Sequence, residues 1–274
     1  MNTMELIRRR RSVRTFDGRA LSPETLREIL AFSEKQDNPY GIPIQWRLLD
    51  AGKQGLSSPV ISGTETFLAG KMKRLPHAEE AFGYTFEKII LHLEAMGIGT
   101  TWIAGTMNRK AFEQAMALDA DEVMPCVTPL GYPAERMSLK ETLMRKGVRA
   151  ESRMAFRELF FDGSFDRPLT EETAGPRREA LEMVRLAPSA VNKQPWRVVI
   201  RGNAAHFYEK KGKGYISADG WDIQKIDMGI ALYHYSLGMC EKTPDVRLMD
   251  RKPELDAPEG LTYIASILTG EATA

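Results

Sequence analysis

The chain has 274 residues, a formal net charge of +1 at pH 7, 43% hydrophobic residues and two cysteines. That length and apolar content allow a sizeable core in one large domain or two small ones, and near-neutral charge argues against wholesale nucleic-acid binding. Cys126 and Cys240 lie far apart and outside metal or redox spacing, as expected of free thiols in a reducing compartment; with no apolar signal-like stretch after Met1 and no run long enough to span a bilayer, a cytoplasmic chain is expected.

Residues 3–10 read as a short helix, with Thr3 as a candidate cap and Leu6 and Ile7 inward. An arginine-rich stretch follows, then the turn signal Asp17-Gly18. Ser22-Pro23-Glu24 pairs an N-cap residue with proline at the first helical position and predicts a helix to about Lys35, with Leu26, Ile29 and Leu30 at helical spacing. Asn38-Pro39-Tyr40-Gly41 breaks it, 44–49 reads as a strand, and 59–62 is a weaker strand candidate. A long apolar-periodic helix spans 78–96 and stops at Gly97. Residues 99–105 form a loop or short strand, Asn108–Met116 a helix, and Cys126–Pro133 a strand leaving into a turn. Asp121-Glu122 reads as a helix start.

The second half repeats this order. Ser164-Phe165-Asp166 echoes Thr15-Phe16-Asp17, and a helix follows in both. Pro195-Trp196-Arg197-Val198-Val199 echoes Gln45-Trp46-Arg47-Leu48-Leu49. Ile230–Leu237, ended by Gly238, echoes Ile89–Met96, ended by Gly97, and 264–270 echoes the strand ending at Gly131. Four echoes in order predict an internal duplication, with halves 1–148 and 149–274.

Two stretches can carry chemistry. The first, 8–14, holds five arginines and Ser12. Arginine is always charged and makes forked bonds to phosphate or paired carbonyl oxygens. If 10–16 is extended, Arg10, Ser12 and Arg14 share a face and can line one anionic ligand, while Arg11 and Val13 face away. A solvated basic run or a nucleic-acid patch is the alternative, although no aromatic interleaving supports the latter. The second stretch is Pro188-Ser189-Ala190-Val191-Asn192-Lys193-Gln194-Pro195-Trp196, between a helical run and an apolar strand. Its prolines restrict the backbone, Ser189 and Asn192 can turn back on the main chain, and Gln194 offers an amide to a planar polar ligand. Read more blandly, it is a helix-to-strand turn with a buried tryptophan.

No Gly-rich phosphate loop is present, since Gly97-Ile98-Gly99 follows a helix rather than a strand. His77, His92, His206 and His234 show no metal-ligand spacing, and no Ser-His-Asp arrangement has supporting context. With no candidate nucleophile or metal, a bound cofactor is the simplest source of chemistry.

Arg-Arg-Ser-Val-Arg at 10–14, Pro-Ser-x-x-Asn-x-Gln-Pro-Trp at 188–196, Gly-Ile-Gly-Thr-x-Trp-Ile-x-Gly at 97–105 and Leu-Gly-Tyr-Pro at 130–133 together resemble the FMN-dependent nitroreductase family, over nearly the whole chain. Ordinary members are homodimers with FMN at the interface. Here Asn38–Pro43 is a degenerate version of the second motif, and 161–165 lacks the arginines of the first. The chain therefore resembles a branch in which one polypeptide mimics the dimer.

The resemblance implies an α+β fold, with mixed or antiparallel central sheets flanked by helices. It implies one FMN per chain, NAD(P)H as reductant, and a small electrophilic acceptor such as a nitroaromatic or quinone. Dehalogenation, flavin fragmentation or non-catalytic flavin binding are the alternatives it leaves. It implies no nucleic-acid or membrane partner, and a pseudo-dimer that can be monomeric. Arg10, Arg11 and Ser12 would take the phosphate and ribityl end, and Arg14 the N1/O2 edge of the ring. Arg145, with Lys146 next, would complete the phosphate site. Trp102, Ile103, Ala104 and Gly105 would lie at flavin N5, with the Ala104 N–H facing it. Pro188, Ser189, Ala190, Asn192 and Gln194 would come from the covering loop.

Overall fold

The computed structural model describes residues 2–216, 220–249 and 251–270, and it divides into two units. Unit 1 comprises 1–78 and 85–150; unit 2 comprises 79–84 and 151–274. Unit 1 contains helices α1 (Thr3–Arg9), α2 (Pro23–Glu34), α3 (Ala51–Gln54), most of α4 (Ala78–Ala95), α5 (Arg109–Ala115) and α6 (Leu139–Gly147). Its strands are β1 (Gln45–Asp50), β2 (Thr66–Lys73), β3 (Glu122–Val123) and β4 (Val127–Leu130). Unit 2 contains α7 (Phe156–Leu159), α8 (Arg178–Leu186) and α9 (Ile223–Cys240). Its strands are β5 (Phe160–Asp162), β6 (Trp196–Arg201), β7 (Ala204–Lys210), β8 (Val246–Met249) and β9 (Leu261–Thr269).

In unit 1, β2 is the central strand. It pairs antiparallel with β1, and also with β4 through 66–69 and with β3 through 72–73. Unit 2 runs β5-β6-β7-β9-β8, antiparallel throughout except for the parallel β5–β6 pair. Both central strands escaped the sequence reading. Thr66–Lys73 and Ala204–Lys210 are buried along nearly their whole length, so neither shows the alternation of a half-exposed strand. The edge strand β8 was missed as well. The candidate strand at 59–62 forms only an isolated bridge, Thr15 to Ser62.

Local signals explain the helix ends. Asn2, not Thr3, caps α1: its side chain accepts the Glu5 N–H while the Glu5 carboxylate accepts the Asn2 N–H. The cap sits one residue earlier because it must precede the first helical residue. Ser22 caps α2 with Pro23 in the first turn. Gly97 follows α4 at φ 76°, a conformation that favours glycine. Asp121-Glu122 does not start a helix. Glu122 lies in β3, because its carboxylate is needed 2.6 Å from the buried Lys71 ammonium of β2. Gly238 does not end α9, which runs on to Cys240. A Cβ there would meet the Ala180 Cα of α8 at 2.7 Å, so this glycine serves helix packing.

The same reasoning explains why 79–84 of α4 group with unit 2. Gly83 and Gly229 let this turn and α9 touch backbone to backbone. A Cβ on either would come within 2.1 Å of a carbonyl oxygen of Ile226 or Glu80. The unit 1 core packs Leu49, Phe67, Phe112, Met116, Met124 and Val127 together. In unit 2, α9 is buried on nearly all faces, as a helix apolar all round must be. Among the described residues, no helix is long and apolar enough to cross a membrane. Neither cysteine is in a disulfide.

Candidate functional site

The arginine stretch leaves α1 as an extended segment, held by single bridges rather than a full ladder: Ser12 to Thr100, Thr15 to Ser62 and Phe16 to Pro133. Strict alternation therefore fails. Val13 is buried, and Arg11 turns to an acid rather than away. Its Nη1 lies 3.6 Å from Glu141 Oε1 of α6. Glu141 is 1% exposed and also accepts the Thr15 hydroxyl at 2.9 Å. Arg14 senses the same carboxylate and the nearby Arg145 charge, and burial lowers its pKa from the usual arginine value. Arg11 and Arg14 thus share one acid, with Arg145 close enough to Arg14 to oppose its charge.

Among the described residues, Arg10 Nε and Arg11 Nη1 are buried with no hydrogen-bond partner. Unpaired buried donors of this kind are uncommon and call for an acceptor. Glu141 itself was not found from the sequence. Ser138 three residues before it gives the pattern of a helix cap, and Ser138 does cap α6 through the Glu141 N–H. Nothing local says that its carboxylate turns to a segment 126 residues away.

The segment 99–105 is held by backbone bonds. Gly99 N–H donates to Gly131, and Ile103 and Val127 exchange both of theirs. The Ile103 side chain packs in the core. The Trp102 indole donates to Glu87 Oε2 at 3.2 Å and stacks edge-on against Phe86. The Ala104 carbonyl accepts from Arg109 at 2.6 Å. The Ala104 N–H, by contrast, has no hydrogen bond among the described residues. Gly105 beside it is exposed.

In unit 2, α8 stops at Leu186, and Ala187 turns to ψ 146°, as a residue before proline must. Pro188, Ser189, Ala190 and Asn192 are half-buried, and Val191 is 55% exposed. Val191, Asn192 and Gln194 have φ of 44°, 59° and 49°. Left-handed backbone at non-glycine residues is uncommon, and for β-branched valine it is an outlier.

Several bonds hold this shape. Asn192 Nδ2 donates to the Ser152 carbonyl at 3.0 Å, and Gln194 N–H to Ser189 Oγ at 2.9 Å. Gln194 is buried, and its Oε1 accepts the Met154 N–H at 2.9 Å. This is a correction to the sequence reading: Gln194 turns inward and staples the loop to 152–154, because a buried amide must find partners. Trp196 is fully buried.

Below the loop lie buried acids that the sequence did not single out. Asp227 of α9 accepts the Ala190 N–H at 3.0 and 3.1 Å. Burial raises its pKa well above the usual carboxylate range, with Asp222 and Glu209 adding to the rise. Glu209 of β7 is fully buried, and neither carboxylate oxygen has a hydrogen-bond partner among the described residues. Its pKa is pushed up to about 7, mainly by burial. Among the described residues, no group of three or more His, Cys, Asp or Glu residues could hold a metal ion.

The family model described as "Putative TM nitroreductase" matches residues 2–239. The chain belongs to the nitroreductase family. A crystal structure described as a "putative nitroreductase" from Thermotoga maritima is similar over 98% of this chain and 94% of its own, with 20% identity and a TM-score of 0.65. It supports the α+β nitroreductase-like fold. A "Putative NADH dehydrogenase/NAD(P)H nitroreductase" from Bacteroides thetaiotaomicron is 18% identical and matches only 50% of this chain and 90% of its own, with a TM-score of 0.42. An "FMN-dependent Nitroreductase" from Clostridium difficile is 14% identical and matches 48% of this chain and 88% of its own, with a TM-score of 0.42. No curated protein matches the chain in sequence.

Proposed function

We propose that the protein is an FMN-dependent oxidoreductase that passes reducing equivalents from NAD(P)H to a small electrophilic acceptor such as a nitroaromatic or quinone. The observation that carries this reading is a pair of buried guanidinium nitrogens, Arg10 Nε and Arg11 Nη1, that make no hydrogen bond among the described residues, in a segment where Glu141 stands beside both Arg11 and Arg14. A phosphate supplies several acceptor oxygens to such donors. The residues present therefore fit FMN.

In this reading Arg10, Arg11, Ser12 and Arg145 hold the phosphate and ribityl end. Arg14, half-buried and desolvated, stands at the N1/O2 edge, where a cation in a low-dielectric setting stabilises negative charge on the ring. The Ala104 N–H, unengaged among the described residues, would donate toward N5. Pro188, Ser189, Ala190 and Asn192 cover the ring. When bound, FMN supplies the hydride chemistry, and the chain supplies binding, orientation, charge and exclusion of water. The repeated order of strands and long helices in the two units supports an internal duplication. One intact set of motifs then predicts one FMN per chain and a protein that needs no second copy for its site.

The test is an absorbance spectrum of the purified protein followed by anaerobic titration with NADH and NADPH. A flavin spectrum at about one FMN per chain, bleached by either nucleotide, is the expected result. Two FMN per chain would overturn the single-site reading. Bound flavin that neither nucleotide bleaches would make the chain a flavin binder, and failure to bind FMN would overturn the cofactor.

A further inference from the structure

We infer that Asp227 is a positioning residue that holds the Pro188–Gln194 loop in its ligand-covering shape, an inference that rests on the flavin reading above. The loop does not keep this shape by local preference. Three of the four residues from Val191 to Gln194 have left-handed backbone, and none is glycine. Each such residue costs on the order of 1–3 kcal/mol and persists only where its surroundings over-determine it.

The surroundings hold the loop at its two ends. At the far end, Asn192 and Gln194 bond to the backbone of Ser152 and Met154, which is itself a connecting segment. At the near end the anchor among the described residues is Asp227, whose two oxygens straddle the Ala190 N–H. Asp227 lies in the second turn of an 18-residue buried helix, so it gives the loop a fixed point that another loop cannot.

Packing does not explain an aspartate at this position. It is 3% exposed on a largely apolar helix. Its acidic neighbours Asp222 and Glu209 disfavour its charge, and no cation is paired with it among the described residues. A leucine would pack there without the burial penalty of a carboxyl group. What the carboxyl group does is accept one N–H at the start of the strained turn. The consequence is directional. With its N–H turned to Asp227, Ala190 offers no backbone donor to a ligand, and the loop presents the exposed Val191 side chain beside the half-buried Ser189 and Asn192.

The test compares Asp227→Asn with Asp227→Leu in the full chain. Asparagine keeps an oxygen that can accept the Ala190 N–H, whereas leucine keeps the volume without an acceptor. Two quantities are measured: FMN affinity by fluorescence quenching, and hydrogen exchange at the Ala190 amide. The expected result for Asp227→Leu is FMN affinity and amide protection each falling by about ten-fold or more, with Asp227→Asn within about three-fold of wild type in both. A merely structural role would not produce rescue by asparagine together with loss at this one amide. Asp227→Leu matching wild type in both measures would overturn the inference, as would Asp227→Asn being as impaired as Asp227→Leu. If the wild-type chain binds no FMN, the flavin reading fails, and amide exchange decides the role of Asp227 alone: protection lost in Asp227→Leu and kept in Asp227→Asn supports it, and equal protection overturns it. Should Asp227→Leu not fold, unaltered Ala190 exchange in Asp227→Ala would overturn the inference.

Discussion

In unit 1, β1 pairs with β2, β2 with β4, and the 18-residue α4 comes between the second and last of these strands in sequence. In unit 2, β6 pairs with β7, β7 with β9, and the 18-residue α9 holds the same place. What differs is the charge each unit buries. Unit 1 sets cations beside carboxylates: Arg11 and Arg14 beside Glu141, and Lys71 against Glu122. Unit 2 buries Glu209 and Asp227 without paired cations among the described residues and raises both pKa values. One skeleton thus tolerates opposite interiors, because its stability comes from strand pairing and apolar packing, which leave polar positions free to diverge. In unit 1 those positions hold cations beside carboxylates. In unit 2 they hold a loop.

If the skeleton carries unit 2, the largest effect should come from backbone contact rather than charge. Gly229→Val forces a side chain into the Glu80 carbonyl, and loss of about 4 kcal/mol or more is expected by urea denaturation. Gly147→Ala, with open space around it, should stay within about 0.5 kcal/mol of wild type. Equal effects would show that the tight approach is not what holds α9.

Charge removal in unit 1 comes next. Glu141→Ala strips the arginine cluster of its carboxylate and should destabilise by about 2–3 kcal/mol, read in the same assay. A phosphate-containing ligand should restore part of that loss by binding the released cations.

The opposite interior of unit 2 predicts the opposite response. The pKa of Glu209 is raised from 4.5 to about 7, with Asp222 and Glu80 opposing its ionisation and Lys211 and Lys225 favouring it. In that window the folded chain holds a proton that the unfolded chain has released. The stability contribution is therefore whole below about pH 4.5 and is lost as pH rises toward 7. Glu209→Gln should remove this slope, matching wild type near pH 4 and exceeding it by on the order of 2 kcal/mol at pH 8. A wild-type profile that the substitution leaves unchanged would place the slope elsewhere.

The smallest effect on folding belongs to Arg14. Burial already disfavours its charge, so Arg14→Ala should leave the melting temperature no lower than wild type. In FMN-loaded protein it should slow NAD(P)H-driven bleaching by about ten-fold, close to 1.4 kcal/mol, measured by stopped-flow absorbance. Unchanged bleaching would remove Arg14 from the ring.

Much of this molecule was legible before folding because its signals are local. Ser22-Pro23 starts a helix, Gly97 ends one, and Pro188 forces extended backbone on Ala187, each through sterics and hydrogen bonds within a few residues. The arginine stretch and the Pro188–Trp196 loop announced themselves in the same way. What the sequence could not assign was any group whose meaning depends on a distant neighbour. Thr66–Lys73 lost its strand alternation because the packing of the fold buries both of its faces. The Gln194 amide suits a ligand in the sequence, yet in the fold its oxygen accepts the Met154 N–H. Glu141 and Asp227 look like an ordinary helical glutamate and an ordinary helical aspartate. Only the folded chain brings Glu141 to Thr15 and Arg11, and Asp227 to the Ala190 N–H. Local backbone preference thus fixed where elements begin and end, whereas burial decided which polar groups act, because desolvation leaves a polar group needing whichever partner the fold supplies.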